Sequence, residues 1–234
     1  MNQNKFIEEL KKLSIEISEE QLNQLNKYYE LLVSWNEKMN LTGIIEKDAV
    51  FLKHFYDSLT IVKVTNLNNV NSLCDVGTGA GFPGLVLKII FPSLKVTLID
   101  SLNKRINFLN KVIETLNLKD IETIHARAEE YGINNREKYD LVTARAVASL
   151  NILMEYTIPL VKEKGYFIAM KANVETEIEQ SKNALLKLDC HIEQIEKFNL
   201  PMENSNRTII RIIKNSKTNK TFPRKYNEIK RKPL

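Results

Sequence analysis

Apolar positions recur at helical spacing through residues 1 to about 65. Leu22, Leu25, Tyr29, Leu32 and Met39 share one face of a helix. Its start is marked by Ser18 and, three residues on, Gln21, the pairing of a capping box. A second helix is predicted from Asp48 to Val64, with Phe51, Phe55, Leu59 and Val62 on its apolar side. The polar run Asn66 to Ser72 reads as a connector, and beyond it the period changes. Short apolar runs at Leu73–Val76, Lys95–Ile99, Ile121–His125, Tyr139–Thr143 and Gly165–Met170 read as strands. Helical stretches lie between them: one to Phe91, stopped by Pro92, then Asn103–Leu116, Asn151–Val161 and Val174–Leu188. Two further strand-like runs, Cys190–Phe198 and Arg207–Ile213, follow. Strands alternating with helices specify right-handed βαβ units and a largely parallel, Rossmann-like sheet. The expected fold is therefore α/β: a seven-stranded, mostly parallel sheet over residues 66–214, an N-terminal helical extension over 1–65, and a C-terminal arm over 215–234.

Composition narrows the function. The 234 residues are 43% apolar and 27% charged, enough for a sizeable core. Two cysteines, Cys74 and Cys190, are too few for a disulfide scaffold and fit free thiols in a reducing cytoplasm. The first ten residues have no apolar signal core, and no apolar run reaches the ~18 residues of a membrane span. Charge is uneven. Lys214 to Leu234 holds eight basic residues and one acid, +7, which leaves −2 on the rest of a chain of net charge +5. Such an arm points to a polyanion, or else is a solvated terminus.

Of seven glycines, four fall within eight residues: Gly77, Gly79, Gly81 and Gly84, directly after the first strand. In a doubly wound sheet this turn approaches a ligand. Asp100 ends the second strand, where an acid accepts the ribose hydroxyls of a nucleoside cofactor. Two cofactors fit. From Gly79 the run matches the dinucleotide pattern G-x-G-x-x-G. From Asp75 it reads D-x-G-x-G-x-G, as in S-adenosylmethionine (SAM) methyltransferases. An acid at Asp75 suits the ammonium end of SAM and would repel a pyrophosphate. Gly79 also follows the strand too late for the dinucleotide pattern, and two adjacent strands close the chain as in a methyltransferase sheet. Neither cysteine sits where a catalytic thiol would, and the three histidines lack companions at metal-ligand spacing, so no metal is expected. The loop after the fourth strand carries Arg145 among alanines, then Ser149, and Lys171 closes the fifth strand at the same edge. His54 and Asp57 share a helix face, either touching substrate or bracing the fold. Glu129 follows the third strand, where an adenine ring commonly lies.

Six segments together resemble the bacterial 16S ribosomal RNA guanine-N7 methyltransferases, the glucose-inhibited division protein B family. They are Trp35-Asn-Glu-Lys-Met-Asn-Leu-Thr42, His54-Phe-Tyr-Asp-Ser58, Asp75-Val-Gly-Thr-Gly-Ala-Gly-Phe-Pro-Gly84, Asp100-Ser-Leu-Asn-Lys-Arg105, Arg145-Ala-Val-Ala-Ser-Leu150 and Pro223-Arg-Lys225. The resemblance covers nearly the whole chain. It implies a class I SAM-dependent methyltransferase acting on N7 of a guanosine in the 530 loop, by in-line transfer without a general base. The implied partner is 16S rRNA or the small ribosomal subunit, with neither DNA nor membrane involved, and the enzyme a cytoplasmic monomer. SAM contacts are implied at Gly77, Phe82, Ala128, Glu129 and Arg145. Asp75, Gly79, Gly81 and Asp100 join them from the turn and ribose logic above. Arg145, Ser149, Lys171 and His54 would position the substrate. Arg224, Lys225, Lys230, Arg231 and Lys232 would meet RNA. One departure lies in the tail, where Tyr226-Asn-Glu-Ile-Lys230 has neither glycine nor proline. A small-molecule methyltransferase, a dinucleotide-dependent oxidoreductase and a non-catalytic rRNA-binding factor each share part of these features.

Overall fold

A computed structural model describes residues 1–172 and 174–234. Helix α1 (Gln3–Lys12) is capped by Asn2, and α2 (Glu19–Met39) by the Ser18–Gln21 capping box that the sequence marks. The second predicted helix is present but irregular. The short α3 (Lys47–Val50) runs into a π-helical turn (Phe51–Tyr56), α4 (Asp57–Leu59) and a 3-10 turn (Thr60–Lys63). Wider turns of this kind often accompany functional sites.

The sheet domain follows in order: β1 (Ser72–Val76), α5 (Gly84–Ile90), β2 (Lys95–Asp100), α6 (Asn103–Thr115), β3 (Ile121–His125), α7 (Ala128–Asn134), β4 (Tyr139–Arg145), α8 (Leu150–Thr157), β5 (Val161–Lys171), α9 (Glu175–Gln180), α10 (Lys182–Lys187), β6 (Cys190–Asn199) and β7 (Asn206–Lys214). The seven strands order as β3-β2-β1-β4-β5-β7-β6. All pairs are parallel except those of β7, which runs antiparallel to both β5 and β6. The order reverses between β1 and β4, and crevices at the carboxyl ends of such strands bind ligands. One face of the sheet buries α1, α2, α5 and α6 through Phe6, Leu25, Tyr28, Leu85 and Phe108. The other buries α8 and α10 through Leu150, Leu153, Met154 and Ala184.

Two boundaries differ from the sequence expectation. Strand β5 begins at Val161, because a 3-10 turn containing Pro159 ends the preceding helix early. The single helix expected over Val174–Leu188 is two, α9 and α10, separated at Ser181, whose hydroxyl turns back to the Glu177 carbonyl at 2.7 Å.

The last residues do not form a free arm. After β7 the chain crosses α7 and α8 and ends in α11 (Tyr226–Arg231), with Ile229 fully buried and Leu234 packed in the second core.

Candidate active site

Two cavities open at the carboxyl edge of the sheet. They meet at residues 145–148, where Arg145 and Ala146 line one and Val147 and Ala148 the other.

The first cavity, about 360 Å³, is walled by Gly77 after β1, Asp100 at the end of β2, Ala128 and Glu129 after β3, and Tyr226 from the tail. Asp100 is buried. It accepts bonds from the Gly79 and Leu102 amides, both at 2.9 Å, and from Arg105 Nη1 at 3.1 Å. An ionised carboxylate offers about four acceptor sites, so one remains for a ligand hydroxyl. Glu129 is buried, and its Oε1 has no partner within the protein. Burial pushes its carboxyl above the usual range. A buried acceptor left unpaired costs stability that a ligand donor relieves. Apolar Ala128, Val147 and Ile152 complete the lining, so the residues present fit the nucleoside half of SAM.

Asp75 has another task than the one its place in the motif implied. It lies under the turn and lines neither cavity. Its Oδ2 accepts from Thr78 Oγ1 at 2.7 Å and the Gly84 amide at 2.8 Å, so it holds the glycine turn closed. Burial raises it from 3.8 to about 6, against those two bonds, and its Oδ1 is unpartnered. Gly81 and Gly84 are close-packing positions: an added Cβ would meet the Tyr28 hydroxyl at 2.5 Å or Asp75 Cβ at 2.8 Å. Gly77 is the member of the cluster that borders the cavity.

The second cavity, about 530 Å³, draws Lys53, His54 and Asp57 from the irregular helix, Arg145 from β4, Lys171 from β5 and Arg207 from β7. Phe82, implied as a SAM contact, lines neither cavity and is buried behind this one. It stacks under His54 with centroids 4.4 Å apart and planes at 16°, and Arg145 lies 5.2 Å from the same ring. Asp57 accepts from Arg145 Nη1 at 3.1 Å and Arg207 Nε at 3.0 Å, tying the helical extension to two strands. His54 lies 2.8 Å from Thr42 Oγ1 and 3.2 Å from the Lys53 carbonyl. Burial first, then the Arg145 charge, lowers it to about 4, so its ring is neutral at neutral pH. Lys171 Nζ pairs with Glu177 at 2.6 Å and donates to the Ala148 carbonyl at 2.6 Å. The carboxylates of this cavity are thus engaged by cations. Arg145, assigned to both cofactor and substrate by sequence, lies in this cavity and not the first.

Ser149, expected to position the substrate, lines neither cavity: it stands at the N-terminus of α8, and its hydroxyl donates to Asn151 Oδ1 at 2.8 Å. Arg224 is not a free cation for RNA either. Its fork grips the fully buried Glu155 at 2.8 and 2.6 Å. Lys225, Lys230, Arg231 and Lys232 are exposed, and Lys230 also lines the first cavity. Sequence reasoning passed over Arg207, Lys53 and Tyr226. Arg207 opens the last strand, 150 residues from Asp57, and no local pattern announces that pairing. Both cysteines are buried, and burial raises their thiols, Cys190 to about 12. Among the described residues no group of histidine, cysteine and carboxylate side chains is placed to hold a metal ion.

Comparison with known proteins adds the following. Residues 21–209 match the family model of rRNA small subunit methyltransferase G. The chain is 50% identical over 237 residues to the ribosomal RNA small subunit methyltransferase G of Bacillus licheniformis, covering 100% of this chain and 99% of that one. The Staphylococcus carnosus protein of the same name is 48% identical over 233 residues, 98% of this chain and 97% of its own. Among solved structures, a SAM-dependent methyltransferase from Aquifex aeolicus superposes with a TM-score of 0.55 at 17% identity, over 77% of this chain and 98% of that one. TYW2 of M. jannaschii in complex with AdoMet gives 0.56 at 15% identity, over 74% and 79%. These two share the fold.

Proposed function

From the premise that this chain belongs to the rRNA small subunit methyltransferase G family, whose members are SAM-dependent methyltransferases, we propose that it methylates N7 of one guanosine in the 530 loop of 16S rRNA. The cofactor is SAM, which supplies a methyl group on a sulfonium. In the first cavity, Asp100 would take the ribose hydroxyls and Glu129 the exocyclic amine of the adenine. The second cavity would take the guanine. His54 and Arg145, both backed by the buried Phe82 ring, would offer a flat surface there, and Arg145, Arg207 and Lys171 would present cationic donors to phosphate and to guanine O6.

One observation carries the reading. A nucleoside-sized cavity and a cation-lined cavity adjoin at residues 145–148, and in the second the ring nitrogens of His54 face Thr42 and the Lys53 carbonyl while Asp57 and Glu177 are paired with cations, so each proton acceptor named there is already engaged. Guanine N7 is an unprotonated lone pair at neutral pH and needs no deprotonation. Alignment and a desolvated pocket are then what the protein contributes. An exocyclic amine or a hydroxyl would call for a proton acceptor. The chain would act as a cytoplasmic monomer on 16S rRNA or the small subunit. No helix among the described residues is long and apolar enough to cross a membrane.

The test is to incubate the protein with SAM and 16S rRNA or small subunits, cleave at N7-methylguanosine with borohydride and aniline, and map the cut by primer extension. A single cut in the 530 loop is expected. Methyl transfer to another atom, or no transfer to either RNA substrate, overturns the proposal.

A further inference from the structure

We propose that the C-terminal segment is a wall of the SAM site, with Tyr226 as a cofactor contact. The inference rests on the first cavity being that site. Tyr226 and Lys230 stand one turn apart on α11, and both line the cavity together with Gly77, Asp100 and Glu129. The Arg127 guanidinium, itself part of the lining, lies 4.4 Å from the centre of the Tyr226 ring and fixes it in place. An aromatic face beside apolar Ala128 and Ile152, with the unpartnered Glu129 Oε1 at the same cavity, is a surface that receives a purine.

The segment is built into this position. Arg224 donates to the fully buried Glu155 of α8 through both its side chain and its amide, the latter at 2.9 Å. Removing Arg224 would strand the buried Glu155 charge, so the seat is held strongly. Arg136 donates to the carbonyls of Thr218 and Phe222. Ile229 is fully buried, Pro223 abuts Gly132 of α7, and Asn151 Nδ2 donates to the Leu234 carbonyl at 3.2 Å. The two roles that sequence kept apart, cofactor pocket and basic arm, therefore share one helix. Its inner face meets the cavity, while Lys225, Arg231 and Lys232 are exposed. A ligand touching both the sheet domain and α11 stabilises the seat, and by linkage a displaced tail weakens the ligand.

Two measurements test this. Calorimetric titration of the full chain with SAM compares wild type, Tyr226→Ala and Tyr226→Phe, with the thermal midpoint of each apo protein as the control for folding. Tyr226→Ala is expected to bind SAM about tenfold more weakly, the size of one lost base–aromatic stack, and Tyr226→Phe within about twofold of wild type. Independently, saturating SAM is expected to slow tryptic cleavage after Lys225, Lys230 and Arg231 in the unaltered protein. This second readout decides the matter if the alanine variant fails to fold. Wild-type protein that binds SAM, with a folded Tyr226→Ala that binds equally well, overturns the wall. So does cleavage that SAM leaves unchanged. Wild-type protein that does not bind SAM overturns the cofactor assignment instead.

Discussion

At Gly77 the backbone φ is +68°, and an added Cβ would stand 2.6 Å from Cγ2 of Val147. Gly79 has a similar φ of +62°, but nothing lies within 4 Å of its Cβ position. The motif treats these glycines alike; the structure separates them. Gly77→Val is expected to lower SAM affinity more than tenfold by forcing the 145–148 segment across the cavity mouth. Gly79→Ala carries only left-handed strain, about 1–2 kcal/mol of stability, and should stay within about threefold in affinity. Calorimetry and urea unfolding of the two variants check both statements, and equal affinity losses would show that the Val147 contact is irrelevant. Asp75 gives a pH prediction. Its folded value of about 6 lies above the unfolded 3.8, so the native state binds the extra proton. Its contribution to stability is present below about pH 4 and is lost as pH rises through about 6, some 3 kcal/mol in all. His54, lowered to about 4, works in the opposite direction over nearly the same window, because it must charge as pH falls. Wild-type stability alone therefore hides the effect. Asp75→Asn exposes it: the variant should gain on wild type steadily between about pH 4 and pH 7 in urea unfolding, whatever the fixed offset from its altered hydrogen bonds. A constant difference across that range would mean the buried carboxyl does not titrate there.

The irregular helix that carries Lys53, His54 and Asp57 is where element-level reading reaches its limit. Its apolar positions, Phe51, Phe55 and Leu59, announce a helix correctly, since burial against α1, α2 and α5 needs only approximate spacing. The π turn over Phe51–Tyr56 shifts which side chains face the second cavity, and no residue type signals it. The strands were legible because short apolar runs between helices permit little else. The antiparallel sense of β7 was not, because a buried strand reads alike in either direction. Asp57, which is 4% exposed, ties the extension to the sheet through two arginines, beside the apolar core the two share. Asp57→Ala should leave Arg145 and Arg207 unpaired and cost stability at the lower end of about 3–5 kcal/mol, since both guanidinium groups keep some solvent. It should also release Arg145 from its place over Phe82, so that methylation falls further than SAM affinity. A denaturant midpoint unchanged from wild type would show that the helical extension is held by its apolar contacts alone.

For the whole molecule, the uneven charge of the chain was plain in the sequence, but the use of that charge was not. Lys214 is fully buried, its Nζ on the Val161 carbonyl at 2.8 Å, and Arg224 is committed to Glu155. Two of the eight cations that made the arm look like an RNA-binding tail are thus structural, a division that depends on partners 53 and 69 residues away. Those that remain exposed, Lys225, Arg231 and Lys232 among them, are free to meet phosphate. Cations that displace condensed counterions set the slope of log K against log salt, about 0.7–0.9 for each phosphate contact. Replacing Lys225, Arg231 and Lys232 together by glutamine should flatten that slope for a 16S rRNA fragment by this amount per contact, and leave SAM affinity within about twofold. Arg224→Gln should do the reverse. It strands the buried Glu155 charge and loosens α11 from the cavity, so SAM binding weakens while the salt slope barely moves. Filter binding across a salt series, with calorimetry on the same proteins, separates the two. If the triple variant binds RNA with the wild-type slope, the exposed cations are only a solvated surface. The polyanion must then be held elsewhere, and the second cavity, lined by Lys53, Arg145, Lys171 and Arg207, is the surface to test next.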